Sequence, residues 1–230
     1  MSGILQSCTE CTFKSSCFQK LEAEELAMAD KSRVQVHYKK GETIAKQGSF
    51  MNHILYIKDG FAKIYRENEN NTNTIYNIFS TGSLIGLSTL FRDNIYPYSI
   101  AALSDSVVCA IDRETIKHLI DENNRFAVSV LKSINEENSH LRSKMVSLTM
   151  KQLPGRMADT ILHLAEEVYG SDEFHLNLSR KDLAEFSGMS TMSVVRTLQG
   201  FMKENLIKQN QDILTIIDKS GLRQKSELKL

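Results

Sequence analysis

Three cysteines fall close together near the start of the chain, Cys8, Cys11 and Cys17, in the spacing C-x2-C-x5-C. Thiolates are soft ligands, and three at this spacing suit an iron–sulfur cluster, or a zinc site that a further ligand completes. The surrounding segment, residues 1–20, has little apolar periodicity, so a bound group rather than packing is expected to order it. The alternative is an arm with three incidental thiols. A fourth cysteine, Cys109, stands alone far along the chain.

A second stretch, Leu178 to Leu206, carries a different chemistry. Ser179 can cap a first helix, with Asp182 as its acidic partner. Gly188 marks a sharp turn, and Ser190 caps a second helix beginning at Thr191. Val194, Leu198, Phe201 and Met202 then share a core-facing stripe, while Thr191, Met192, Ser193, Arg196 and Gln199 point the other way. Two short helices about a glycine turn, the second with a free polar face, form a helix-turn-helix whose second helix can enter a DNA major groove. Arg196 can pair bidentately with guanine O6 and N7. Arg180 and Lys181, at the start of the first helix, suit phosphate contacts, which position without specifying. An ordinary helical hairpin is the competing reading. The following ENLIKQNQDILTIID looks like two strands with a turn near Asn210 to Asp212, the wing that often flanks such a module.

The remaining elements must position these groups. A short helix is expected from Ala23 to Asp30, then a β region from Val34 to Ile111. Glycine turns at KKGE (Lys39 to Glu42), QGS (Gln47 to Ser49), KDG (Lys58 to Gly60) and STGS (Ser80 to Ser83) punctuate it, with a polar turn at Glu67 to Asn73. Short strands at this spacing suggest a small antiparallel barrel or jelly roll. A short helix from Arg113 to Ile120 precedes a long one, Arg125 to Met150. On the long helix Ala127, Leu131, Ile134, Asn138, Leu141, Met145 and Leu148 step by four and three. That is a heptad seam with one polar member, the pattern of a two-stranded coiled coil, so a homodimer is expected. Pro154 and Gly155 should break the chain, placing a hinge near Gln152 to Gly155 and a further helix from Arg156 to Tyr169.

The 230 residues suffice for two cores, and 28 basic residues balance 28 acidic ones. The helix-turn-helix portion alone has a modest basic excess. No apolar run approaches membrane-spanning length and no signal peptide opens the chain. The cysteines are therefore expected in a reducing cytoplasm, as ligands or free thiols. No HExxH, Gly-rich phosphate loop or paired base and nucleophile supports an enzyme.

Barrel, long helix and winged helix-turn-helix, in that order, resemble the CRP/FNR family of bacterial transcription regulators. The resemblance covers nearly the whole chain and is carried by Leu178 to Ile207 and by the placing of KKGE, KDG and STGSLIG. It implies an α+β chain with a cysteine-bearing arm (1–20), a cyclic-nucleotide-binding-like jelly-roll sensor barrel (21–123), a dimerisation helix (124–151) and a winged helix-turn-helix domain (152–230). It also implies a palindromic double-stranded DNA operator and RNA polymerase as partners, with no membrane. The cyclic-AMP-binding branch carries a Glu after the Gly of its IG pair, and an Arg about ten residues on. Here Gly86 precedes Leu87, and Ile95-Tyr96-Pro97-Tyr98-Ser99 has no Arg, so cyclic AMP is not the expected ligand. The oxygen-sensing FNR branch holds a [4Fe-4S] cluster on three N-terminal cysteines and one late in the barrel. Cys8, Cys11, Cys17 and Cys109 match those positions. Zinc or thiol sensing, an unidentified small effector in the barrel, or haem on His37, His53 or His118 stay open. The reading helix departs from that branch: Met192, Val195 and Arg196 stand where it carries Glu, Ser and Arg.

Overall fold

The computed structural model describes residues 7–11, 15–69, 72–92 and 94–227. The chain divides into two compact units, one built from Met1–Ile64 with Phe79–Ser139, the other from Tyr65–Ile78 with His140–Leu230.

In the first part of the chain α1 (Ala23–Lys31) leads into β1 (Arg33–Tyr38) and β2 (Thr43–Ala45). A reciprocal bond between Glu22 and Glu25 closes the N-terminus of α1. There follow β3 (His53–Asp59), β4 (Phe61–Glu67), β5 (Asn73–Ser80), β6 (Leu84–Ile85), β7 (Ser99–Ala102) and β8 (Ser106–Asp112). They form two four-stranded sheets, β1-β8-β3-β6 and β2-β7-β4-β5, the expected jelly roll. The expected polar turn at Glu67 to Asn73 lies partly outside the described residues.

Strand β8 pairs antiparallel with both neighbours: Cys109 faces Gln35 on β1 and Tyr56 on β3, while Ile111 faces Arg33 and Ile54. Because side chains alternate along a strand, Cys109 and Ile111 share one face, and Val108 turns to the other. Both faces are covered, so Ile54, Ile57, Val108 and Ile111 are all buried.

Asp112 caps α2 (Arg113–Glu122), and Asn123 accepts from the Phe126 amide at the start of α3 (Asn124–Met150). Phe126 and Val130 are buried on one side of α3; each such side chain stabilises the fold by about 1.5–3 kcal/mol.

In the second unit α4 (Leu153–His163) begins earlier than the sequence suggested. Gln152 is its N-cap, and Pro154 and Gly155 lie in the first turn instead of breaking the chain. A proline there loses nothing, since first-turn amides have no intrahelical acceptor. The helix then widens into one π turn, Leu164–Val168. β9 (Glu173–His175) precedes α5 (Arg180–Ser187) and α6 (Thr191–Lys203). β10 (Ile207–Asn210) and β11 (Ile213–Ile216) form the wing, and α7 (Lys219–Ser226) follows. The wing sheet has three strands, β10-β11-β9, one more than expected.

Candidate functional site

One cavity, of about 30 Å³, collects the first chemistry. Cys8 and Cys11 reach it from the arm, Cys109 from β8, Tyr56 and Lys58 from β3, and Arg33 from β1. Arg33 Nη1 lies 3.7 Å from the Cys109 sulfur. Its Nε donates to Asp30 Oδ1 at 2.7 Å, and the guanidinium side chain is only 5% exposed. Asp30 Oδ1 also accepts from the Cys8 amide at 3.0 Å, and Oδ2 from Ser7 Oγ at 3.1 Å.

Burial pushes the Cys8 thiol up to about 12, against the pull of Arg33. Burial raises Cys109 as well, while Arg33 and Lys58 work in the opposite sense. The buried Tyr56 hydroxyl lies by the Cys11 thiol but finds no partner of good hydrogen-bond geometry among the described residues. Among the described residues no three Cys, His, Asp or Glu side chains stand close enough together for a single metal ion.

Cys17 is elsewhere. It is 1% exposed, and its thiol reaches Ser129 on α3. Beside it Phe18 packs edge-on against Phe126, with centroids 5.9 Å apart, and against Tyr56 at 6.1 Å. The structure thus lines one cavity with three of the four expected thiols, not gathered closely enough to hold one metal ion, and sets the fourth against the long helix. Tyr56, Lys58, Arg33 and Asp30 were missed by sequence reasoning. Only the pairing of β8 between β1 and β3 makes Arg33, Tyr56 and Lys58 neighbours of Cys109, and Asp30 follows through its bond to Arg33.

The second candidate site stands on α5 and α6. Ser179 and Asp182 form a reciprocal capping box. Gly188 ends α5 in the left-handed region at φ 63°, where a side chain is strained. A β-carbon there would lie 2.5 Å from Leu148 Cδ2. Ser190 caps α6, accepting from the Ser193 amide at 3.1 Å, so these two hydroxyls are already engaged. Val194, Leu198 and Phe201 are buried, whereas Met202 is only half-buried. Thr191, Met192, Arg196 and Gln199 are exposed on the other side, Met192 at 64%. Lys181 is exposed, 3.8 Å from Glu185 Oε1. Arg180 instead donates to Gln209 Oε1 of β10 at 2.7 Å, tying helix to wing.

Along α3, Leu131, Asn138, Leu141 and Met145 are exposed in the single chain, and Ile134 and Leu148 are half-buried.

Two family models account for these parts. One, a cyclic nucleotide-binding domain, matches residues 35–123; the other, a Crp-like helix-turn-helix domain, matches residues 155–225. The chain belongs to the CRP/FNR family of transcription regulators. Members of this family are DNA-binding regulators, not enzymes. The chain is similar to Electron transport regulator A of Shewanella oneidensis, 25% identical over 94% of this chain and 89% of that protein. It is 24% identical to the Fumarate and nitrate reduction regulatory protein of Escherichia coli K12, over 96% of this chain and 91% of that one. Its fold matches that of FixK2 from Bradyrhizobium japonicum with a TM-score of 0.79 at 16% identity, covering 86% of this chain and 99% of that one.

In this CRP/FNR chain the two positions at which the resemblance expects Glu and Arg in the cyclic-AMP-binding branch carry other residues. Gly86, at φ 104°, turns into a short 3-10 helix whose first residue, Leu87, is 3% exposed. Tyr98 and Ser99 are buried in the segment where an Arg would be needed. Among the described residues no helix is long and apolar enough to cross a membrane.

Proposed function

We propose that this DNA-binding regulator works as a homodimer in the cytoplasm and responds to oxygen or redox state through a thiol-bound centre, a [4Fe-4S] cluster. Residues 21–123 would sense, 124–151 dimerise and 152–230 read a palindromic operator, with RNA polymerase as the further partner. The observation that carries this reading is the meeting of Cys8 and Cys11 from the arm with Cys109 from β8 at one cavity. Cys8, Cys11 and Cys109 are the residues that would hold the cluster there. Cys17 would have to leave its slot against Ser129 to join them. Bound, such a cluster supplies an oxygen-labile redox centre. The chain's own residues supply the soft ligands, a positive wall from Arg33 and Lys58, and an aromatic cover from Phe18 and Tyr56.

Similarity to two regulators whose names refer to electron transport and to fumarate and nitrate reduction supports a respiratory or redox signal. Anaerobically purified chain should carry iron and acid-labile sulfide in near-equal amounts, with the visible absorbance of a cluster, and lose both in air. Cys109→Ser should abolish them as fully as Cys11→Ser. Stoichiometric zinc without sulfide in fresh anaerobic protein would overturn the reading.

A further inference from the structure

The cavity's walls raise a question that the thiols do not answer: what holds an arm and a strand so distant in sequence in one register? We propose that Asp30 and Arg33 are the positioning pair of the thiol site, Asp30 fixing Cys8 and Arg33 fixing Cys109. The two residues flank the joint between α1 and β1, separated only by Lys31 and Ser32. Within the joint, the Ser32 hydroxyl donates back to the Ala29 carbonyl at 3.2 Å. On one side Asp30 spends both carboxylate oxygens on the arm, taking the Cys8 amide and the Ser7 hydroxyl. On the other side Arg33 directs one guanidinium nitrogen at Asp30 and a second at the Cys109 sulfur. A planar fork can serve two acceptors at a fixed angle, which a lysine ammonium cannot. Such an ion pair, with the guanidinium buried, holds its geometry far better than a surface pair would.

Within the pair, Arg33 sets a positive charge beside the Cys109 sulfur while Asp30 sets a negative one beside Cys8. On the Cys109 side an anionic group held by thiolates is favoured over a cationic one. This charge half of the inference rests on the thiol-bound centre proposed above; the geometric half does not.

The geometric half is tested on metal-free, reduced full-length chain carrying Cys11→Ser and Cys17→Ser, which leaves only Cys8 and Cys109. Dibromobimane bridges two thiols a few ångströms apart, and peptide mass spectrometry identifies the product. A Cys8–Cys109 bridge is expected as the main product. Asp30→Ala and Arg33→Ala should each lower its yield about tenfold, the loss of roughly 1.4 kcal/mol of positioning. The double variant should be no worse than either single one, because the residues act as a unit. Arg33→Lys and Asp30→Asn, chosen to fold where the alanines do not, should lose most of the bridge as well. Exchanging the two residues, Asp30→Arg with Arg33→Asp, rebuilds an ion pair but with each group facing the wrong partner. It should leave the bridge lost.

Undiminished bridging in the single variants overturns the proposal. So does a charge exchange that restores bridging, which would reduce the pair to a structural contact. For the charge half, anaerobic Arg33→Met should retain less iron and sulfide per chain than the starting protein, and Arg33→Lys an intermediate amount. Equal retention in all three overturns that half. If the unaltered chain carries no iron or sulfide while the bridging results hold, the cluster reading fails, the charge half falls with it, and the positioning pair stands.

Discussion

The Lys144 ammonium lies 3.5 Å from the centre of the Phe186 ring and donates to the carbonyl oxygens of Ile75 and Tyr76, at 2.7 and 3.3 Å. Beside it the His140 and His163 rings stack at 4.0 Å, and the Nε2 atom of each is buried with no hydrogen-bond partner among the described residues. Glu185, from α5, contributes a carboxylate oxygen that is likewise buried and unbonded. Burial drives His140 down to about 4, helped by the Lys144 charge, and His163 to about 3, helped by His140 and Lys144. Burial lowers Lys144 too, although the ring face and two carbonyls favour its charge.

A pH dependence follows. The folded chain keeps both imidazoles neutral, whereas the unfolded chain protonates them near pH 6.5. Below that pH the unfolded state binds the extra protons, so the histidines' contribution to stability is full above 6.5 and is lost as the pH drops toward 4. The slope is about 1.4 kcal/mol per pH unit for each histidine. Urea melts at pH 7, 6 and 5 measure it, and His163→Phe should roughly halve the slope. A stability unchanged between pH 7 and 5 would mean the two rings are solvated.

Gly188→Ala should destabilise the second unit by about 2 kcal/mol. Part comes from the left-handed backbone, which an alanine resists, and part from the collision with Leu148. Adding Leu148→Ala removes the collision but not the backbone strain. Thermal melts of the two single variants and the double should therefore be non-additive.

The exposed row on α3 should join two chains. Leu131 and Met145 are each 65% exposed in the single chain, far more than apolar residues of an interior helix. Leu131→Glu with Met145→Glu should give a monomer at micromolar concentration by sedimentation. Its DNA affinity should fall to that of a half-site. A dimer that survives both changes would place the interface elsewhere.

On α6, Arg196→Ala should cost about 1–3 kcal/mol per half-site and relax preference at one guanine. Lys181→Ala should weaken binding to all sequences alike and flatten the salt dependence. Arg180→Ala should behave differently from Lys181→Ala, because its bond to Gln209 positions the wing. Met192→Glu adds an acceptor for cytosine and should shift the site recovered by binding-site selection. An unchanged consensus would show that residue 192 does not face the bases.

The DNA-binding part was readable because its punctuation is local. Ser179, Asp182, Gly188 and Ser190 each do a job within four residues, and all do it here. Pro154 misled because the same residue ends one helix or opens another, and only the cap at Gln152 decides which. β9 has three residues, two of them polar, and exists only because β11 pairs with it. The cysteine spacing announced a ligand set, but the walls of the site come from strand order. Nothing in the local pattern marks Asp30 and Arg33, whose roles come from the arm bonded to one and the strand paired beside the other. His140, Lys144 and His163 fall at helical polar positions, and their burial depends on β5 and α5, which no local pattern links to them.

The position of β8 has a consequence for how the protein is made. It is the last strand of its sheet to leave the ribosome, yet it lies at the centre, with β1 and β3 on either side. Until residue 112 has emerged those two strands have no common partner, so the sheet closes late, through contacts distant in sequence. The arm's thiols are synthesised long before Cys109 and wait for it. A ligand held by all three cavity thiols therefore cannot be captured until β8 has emerged and paired with β1 and β3. A chain cut short before Cys109 should retain none of it, however long its arm has been waiting.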